Sequence, residues 1–119
     1  MSIFERNVSI IQRDQQQFKL LEAIRNNDYN SVIRALEQGA NPNHTLPLYA
    51  HPIKECIDFA RDRKILDALI QRGADTSLTV AYNGRSRTLE FLADKLGKPE
   101  FASEIMAAKE RPQPQPIRK

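Results

Sequence analysis

The feature that most constrains this chain is a corner that occurs twice. Gln38-Gly39-Ala40-Asn41-Pro42-Asn43 returns 34 residues later as Arg72-Gly73-Ala74-Asp75-Thr76-Ser77. Each copy follows an amphipathic run, Val32-Ile33-Arg34-Ala35-Leu36-Glu37 before the first and Ile65-Leu66-Asp67-Ala68-Leu69-Ile70 before the second. Self-similarity at a period of roughly 20–50 residues is the mark of stacked units, none of which can bury its apolar face alone. Glycine suits the left-handed position just past a helix end, where a Cβ would be strained.

Helix signals surround both corners. Asp14 and Gln17 have the spacing of a capping box, which predicts a helix from there to about Asn26 with Phe18, Leu21, Ala23 and Ile24 inward. Asp28 caps a second helix that buries Val32, Ile33 and Leu36. Pro52 suits the first position of a third, with Ile53, Cys56, Ile57 and Ala60 inward. Asp62 caps a fourth carrying Ile65, Leu66, Leu69 and Ile70. A third pair follows, with Leu89, Leu92, Ala93 and Leu96 on one helix and Phe101, Ala102, Ile105 and Met106 on the other, opened by Pro99.

Between the pairs lie polar projections. Pro42 and Pro47 rule out regular helix over residues 41–51, where an extended, hairpin-like loop is expected. The stretch from Thr76 to Arg87 contains Asn83-Gly84, the strongest short hairpin signal. Residues 1–14 carry Ile3, Phe4, Val8, Ile10 and Ile11 at spacings that suit neither period. A separate N-terminal arm is expected, which covers the first repeat or meets a partner or a second copy.

Helix pairs, Gly-Ala-Asx corners, projecting loops and a 34-residue period resemble the ankyrin-repeat family. The family's T-P-L-H-x-A motif has a counterpart in His51-Pro52-Ile53-Lys54-Glu55-Cys56, where the proline, the aliphatic and the small residue match. Arg87-Thr88-Leu89-Glu90-Phe91-Leu92 keeps the leucine. Leu46-Pro47-Leu48-Tyr49 also looks like the motif, but that register puts Pro52 inside a helix at about 3 kcal/mol. The resemblance implies an all-α, ankyrin-like helix-pair solenoid with projecting hairpin-like loops over 15–108, in repeats of about 15–43, 51–77 and 87–108. Tetratricopeptide units have a similar period, but their aromatic pattern is absent.

Composition narrows the function classes. The chain has 119 residues, 40% hydrophobic and 28% charged, which fits one domain. No apolar run approaches the roughly 18 residues of a membrane span. The start lacks the apolar middle of a secretory signal, and one cysteine permits no internal disulfide, so a cytoplasmic protein is expected; export as an effector stays open. The net charge is +3, but four of the 18 basic residues, against one of the 15 acidic, fall in the last eleven. The excess belongs to the tail, 109–119, where Pro112, Pro114 and Pro116 favour a disordered or extended chain.

No residue set supplies chemistry. His44, His51 and Cys56 are the soft metal ligands, without paired spacing, and Cys56 sits on an apolar stripe. Asp58, Asp62 and Asp67 suit caps and solvated faces, and no glycine-rich phosphate loop is present. No enzyme activity, cofactor or metal is expected.

The expected role is therefore a non-enzymatic protein–protein interaction module. In a stack of this kind the loops and first helices form one concave face. It would carry Lys54, Asp58, Arg61, Glu90 and Asp94 from helices, with His44, Leu46, Tyr49, Leu78, Val80, Tyr82 and Arg85 from loops. Two alternatives are an inhibitor, antitoxin-like or effector-like regulator of one enzyme, and a weak nucleic-acid binder acting through the basic tail. The expected state is monomer or weak homodimer, with a partner protein, no membrane, and nucleic acid not the favoured ligand.

Overall fold

The computed structural model describes residues 3–110, with side chains from Asp14 onward. Among these residues the chain forms α1 (Ile3–Arg25), α2 (Tyr29–Glu37), α3 (Pro52–Phe59), α4 (Arg63–Gln71), β1 (Thr79–Tyr82), β2 (Arg85–Thr88), α5 (Leu89–Lys95) and α6 (Pro99–Glu110). The molecule is mostly helical, with one antiparallel ribbon in which Tyr82 pairs Arg85 and Thr79 pairs Thr88.

Local chemistry sets the helix starts. Asp28 accepts the Ser31 N–H at 3.2 Å and Asp62 the Lys64 N–H at 2.9 Å, each satisfying a donor with no partner inside the helix. Thr88 does the same for Phe91 at 3.2 Å. Pro52 opens α3, and the His51 ring caps it, Nδ1 accepting the Ile53 N–H at 3.2 Å.

One closing motif serves four helix ends. Gly39 (φ +106°) and Gly73 (φ +96°) take the left-handed conformation. The next N–H then reaches back, Ala40 to the Ala35 carbonyl at 3.0 Å and Ala74 to Leu69 at 2.9 Å. Gly97 and Asn27 close α5 and α1 in the same way, with Lys98 to Ala93 and Asp28 to Ala23, both at 2.9 Å. Asn27 does so at φ +57°, a conformation asparagine tolerates better than most side chains.

The helices pack in two rows. α1, α3 and α5 lie side by side, α2, α4 and α6 form the second row, and each helix also touches its partner across the rows. Between the rows runs a continuous core that includes Leu20, Ile24, Val32, Ile53, Ile57, Ile65, Leu66, Leu69, Leu89 and Ile105. Burying each such side chain stabilises the fold by about 2 kcal/mol.

Several expectations are corrected. The helix expected to open at Asp14 runs unbroken from Ile3. No glycine or proline interrupts residues 1–38, and Asp14 sits in mid-helix. Residues 41–51 form successive turns, not a hairpin, because Pro42 and Pro47 have no N–H to donate to a ladder. The chain is not purely helical, since the second projection is the β1–β2 ribbon. Phe18 (50% exposed), Leu96 (45%) and Met106 (51%) lie outside the core. Ile33 and Ala102 are only partly buried against it. The expectations for residues 111–119 lie outside the described residues.

Candidate functional site

The loop over residues 41–51 is held by side chains, not by a strand ladder. Gln17, 3% exposed on α1, accepts the Asn41 N–H at 2.8 Å and donates to the carbonyls of Asn41 and His44. Asn43 bridges to the second corner, accepting the Asp75 N–H at 2.8 Å and donating to the Gly73 carbonyl at 2.9 Å. Because His51 Nδ1 accepts, the neutral ring carries its proton on Nε2, which faces Asn43 Oδ1 at 3.1 Å. Burial pushes the His51 pKa down, and the Asp75 charge opposes this less strongly.

At the tip of that loop stands Leu48, 96% exposed with φ +74°. A branched apolar residue is doubly out of place there, since it gains no burial and takes a conformation that L side chains disfavour. The turn is nonetheless fixed. The Tyr49 N–H donates to the Leu46 carbonyl at 3.1 Å, and Arg25 Nη2 donates to the Leu48 carbonyl at 3.2 Å.

Below the tip lies an aromatic and ionic cluster. The Arg25 guanidinium sits 4.3 Å from the Tyr49 ring centre and 5.0 Å from that of Phe59, which is 46% exposed. Phe18 meets Tyr49 edge-on at 6.2 Å. The Tyr49 hydroxyl donates to the Glu22 carboxylate, which holds the phenol proton and raises its pKa. Glu55, 2% exposed, pairs with Arg25 and also accepts the Ala50 N–H at 2.7 Å. The Glu55 hydrogen bond is the main cause of the raised Arg25 pKa.

A second cluster surrounds the ribbon. Tyr82 meets Phe91 edge-on at 5.7 Å, and Arg87 lies 4.5 Å over the same ring with Lys95 at 5.5 Å. Leu78, Val80 and Tyr82 are half-buried against the core, so the ribbon is seated on the helices. Arg85 is exposed on β2.

The sequence-derived residues divide accordingly. Lys54 and Asp58 pair at 2.7 Å, one turn apart on a half-exposed face of α3. His44, Arg61, Arg85 and Asp94 are exposed, and Leu46 is half-buried. Tyr49 turns inward onto Glu22 and Arg25. Glu90 is drawn to α6, where Lys109 Nζ lies 2.9 Å away. Burial pushes the Glu90 carboxyl pKa up, but hydrogen bonds from Lys109, the backbone and Thr88, together with the Lys109 charge, outweigh it, and the net shift is downward. Sequence reasoning missed Arg25, Leu48, Glu55, Phe59 and Phe91. The ion pair spans 30 residues with no local signature. The Leu48 signal was present, as an aliphatic between Pro47 and Tyr49 in a loop too short to bury it.

The helix turns are gripped from their neighbours. Asn27 Oδ1 accepts the N–H groups of Arg61 and Asp62 at 2.7 and 2.8 Å. On the other side Lys98 Nζ donates to the carbonyls of Ile57 and Ala60, the latter at 2.7 Å, where a cation also complements the α3 C-terminus. Burial lowers the Lys98 pKa.

Among the described residues no three His, Cys, Asp or Glu side chains assemble into a metal-holding group. His51 is occupied as a cap, and Cys56 is fully buried, its thiol pKa pushed far up by desolvation. Among the same residues no helix is long and apolar enough to cross a membrane. No protein-family model, curated protein or solved structure matches this chain.

Proposed function

We propose that the chain is a three-unit, ankyrin-like stack that works as a non-enzymatic protein-binding module. The two-row order of the helices and the repeated closing motif at Asn27, Gly39, Gly73 and Gly97 support the stack. The His51 cap before Pro52 supports it further, because a side-chain acceptor stands where the family motif has threonine.

The observation that carries the binding reading is Leu48. An exposed leucine held in a left-handed turn by Arg25 is strained without gain to the fold, and such strain gathers where a chain meets a ligand. The exposed edge of Phe59 and the Tyr82–Phe91 cluster add aromatic area, the residue type that dominates binding energy at protein interfaces. A partner with an apolar pocket fits Leu48.

The test uses Leu48→Asn. Asparagine tolerates the left-handed turn, so stability should hold or rise by about 0.5 kcal/mol. Capture of specific proteins from the native cell should fall about tenfold or more, the scale of losing one central apolar contact. Undiminished capture by Leu48→Asn together with Tyr82→Ser would remove this face from consideration.

A further inference from the structure

The β1–β2 ribbon gathers cations that no carboxylate of the described chain pairs. Tyr82 faces Arg85 across the ribbon, and Val80 faces Arg87. Residues directly opposite share a face, so Arg85 and Arg87 stand on the face that carries Val80 and Tyr82. Lys95 joins them from α5, one turn beyond Phe91. Arg87 and Lys95 both lie over the Phe91 ring, at 4.5 and 5.5 Å from its centre. Two like charges are thus drawn to one aromatic ring.

These cations differ from those elsewhere in the molecule. Arg25, Lys54 and Lys109 each hold a carboxylate. Among the described residues no carboxylate comes within ion-pair distance of Arg85, Arg87 or Lys95. Glu90 is taken by Lys109, and Asp94, although exposed on α5, reaches none of the three. The Arg87 Nε is moreover buried without an acceptor, and the side chain makes no other hydrogen bond among the described residues. A guanidinium in that state lacks the planar, two-point acceptor that its fork is shaped to meet.

We propose that this patch docks an extended acidic segment of a partner protein, whose carboxylates meet Arg87, Arg85 and Lys95. Charge complementarity selects the occupant. Alternate side chains of an extended peptide share one side at about 6.6 Å, the same period at which Arg85 and Arg87 follow each other along β2. Single-stranded nucleic acid is the other polyanion to weigh, and two observations stand against it. Base stacking needs an open ring, whereas Phe91 already carries two cations and meets Tyr82 edge-on. A long polyanion also needs a track of cations, whereas the charges before residue 109 cancel and the excess of +3 belongs to the tail. The inference rests on the protein-binding reading but not on Leu48.

Fluorescence anisotropy tests it, with a labelled octapeptide of alternating glutamate and serine titrated with the full chain to about 1 mM, a range that reports weak sites. Saturable binding is expected, weakening as salt rises. Arg87→Gln should weaken it about tenfold, the scale of a charge-assisted pair of hydrogen bonds. Lys95→Gln should weaken it about threefold, the scale of one exposed ion pair. Arg72→Gln, which removes an exposed cation at the end of α4, should bind as wild type does. Leu48→Asn should also bind fully, so failure of peptide binding and failure of the Leu48 face are separate results. Helicity measured alongside shows that each form folds. No binding by the wild type would overturn the proposal, as would affinity indifferent to Arg87 and Lys95, an equal loss in Arg72→Gln, or tighter binding of a uridine octamer.

Discussion

Arg25 and Glu55 form a two-point ion pair across the first and second helix pairs. Nε meets one carboxylate oxygen at 2.6 Å and Nη2 the other at 3.1 Å. The carboxylate is 2% exposed while the guanidinium side chain keeps 34%, so the two partners are not equivalent. Removing the cation leaves a buried charge with only the Ala50 N–H against it. We expect Arg25→Ala to cost about 3 kcal/mol in urea unfolding, the low end for broken buried pairs because water still reaches Arg25. Replacing both residues by methionine should cost less than half as much. Equal losses would mean that the pair stabilises the fold by its own attraction.

Asn27 combines a strained backbone with a double acceptor. Alanine at this position loses both hydrogen bonds to the α3–α4 turn and keeps the unfavourable φ, for about 2 kcal/mol in total. Glycine keeps the backbone and loses only the bonds, and aspartate keeps both. The expected order of thermal stability is therefore Asp nearest wild type, then Gly, then Ala. A glycine variant as weak as alanine would assign the whole effect to the lost bonds.

His51 makes stability depend on pH near neutrality. Its folded pKa is lowered, so the unfolded chain takes up a proton more readily as pH falls through the histidine range. The stabilising contribution is complete above the unfolded value of about 6.5 and is lost on acidification below it. Melting temperature should fall between about pH 7.5 and about pH 5.5. His51→Asn should flatten this window, since asparagine caps α3 without titrating. Asp28, Asp75 and Glu90, all with lowered pKa values, lose their contributions only at more acidic pH.

Cys56 should be silent toward thiol reagents in the native protein. Burial both raises its pKa and shuts out the reagent. Labelling should follow global unfolding in denaturant. Rapid modification of the folded chain would mean that α3 opens locally.

What could be read from the residues was local. Gly39, Gly73, Asp28, Asp62, Pro52 and Asn83-Gly84 each act within a few residues, and the structure uses each as its chemistry dictates. The length of α1 was not legible, because the 4-3 spacing of Phe4, Val8 and Ile11 has meaning only once a helix is assumed. The Arg25–Glu55 pair joins units 30 residues apart, a distance over which composition carries no signal. Leu96 and Met106 were assigned inward from periodicity alone. They belong to the last helix pair, one flank of which has no neighbour among the described residues. On the candidate face, Arg61, Arg85 and Asp94 are exposed, while Tyr49 and Glu90 meet partners within the chain.

The two grips on the α3–α4 turn have an asymmetry with a consequence for how this protein can change. Asn27 and Lys98 supply side chains, but the turn answers only with main-chain groups. Any residue at Ile57 would present the same carbonyl, and any residue but proline at Arg61 the same N–H. The side chains on the receiving turn are thus exempt from the fastening they take part in. A new side chain at Arg61 can alter what the protein touches without loosening the joint, which leaves the middle unit tightly fixed in place and open to revision on its outer surface.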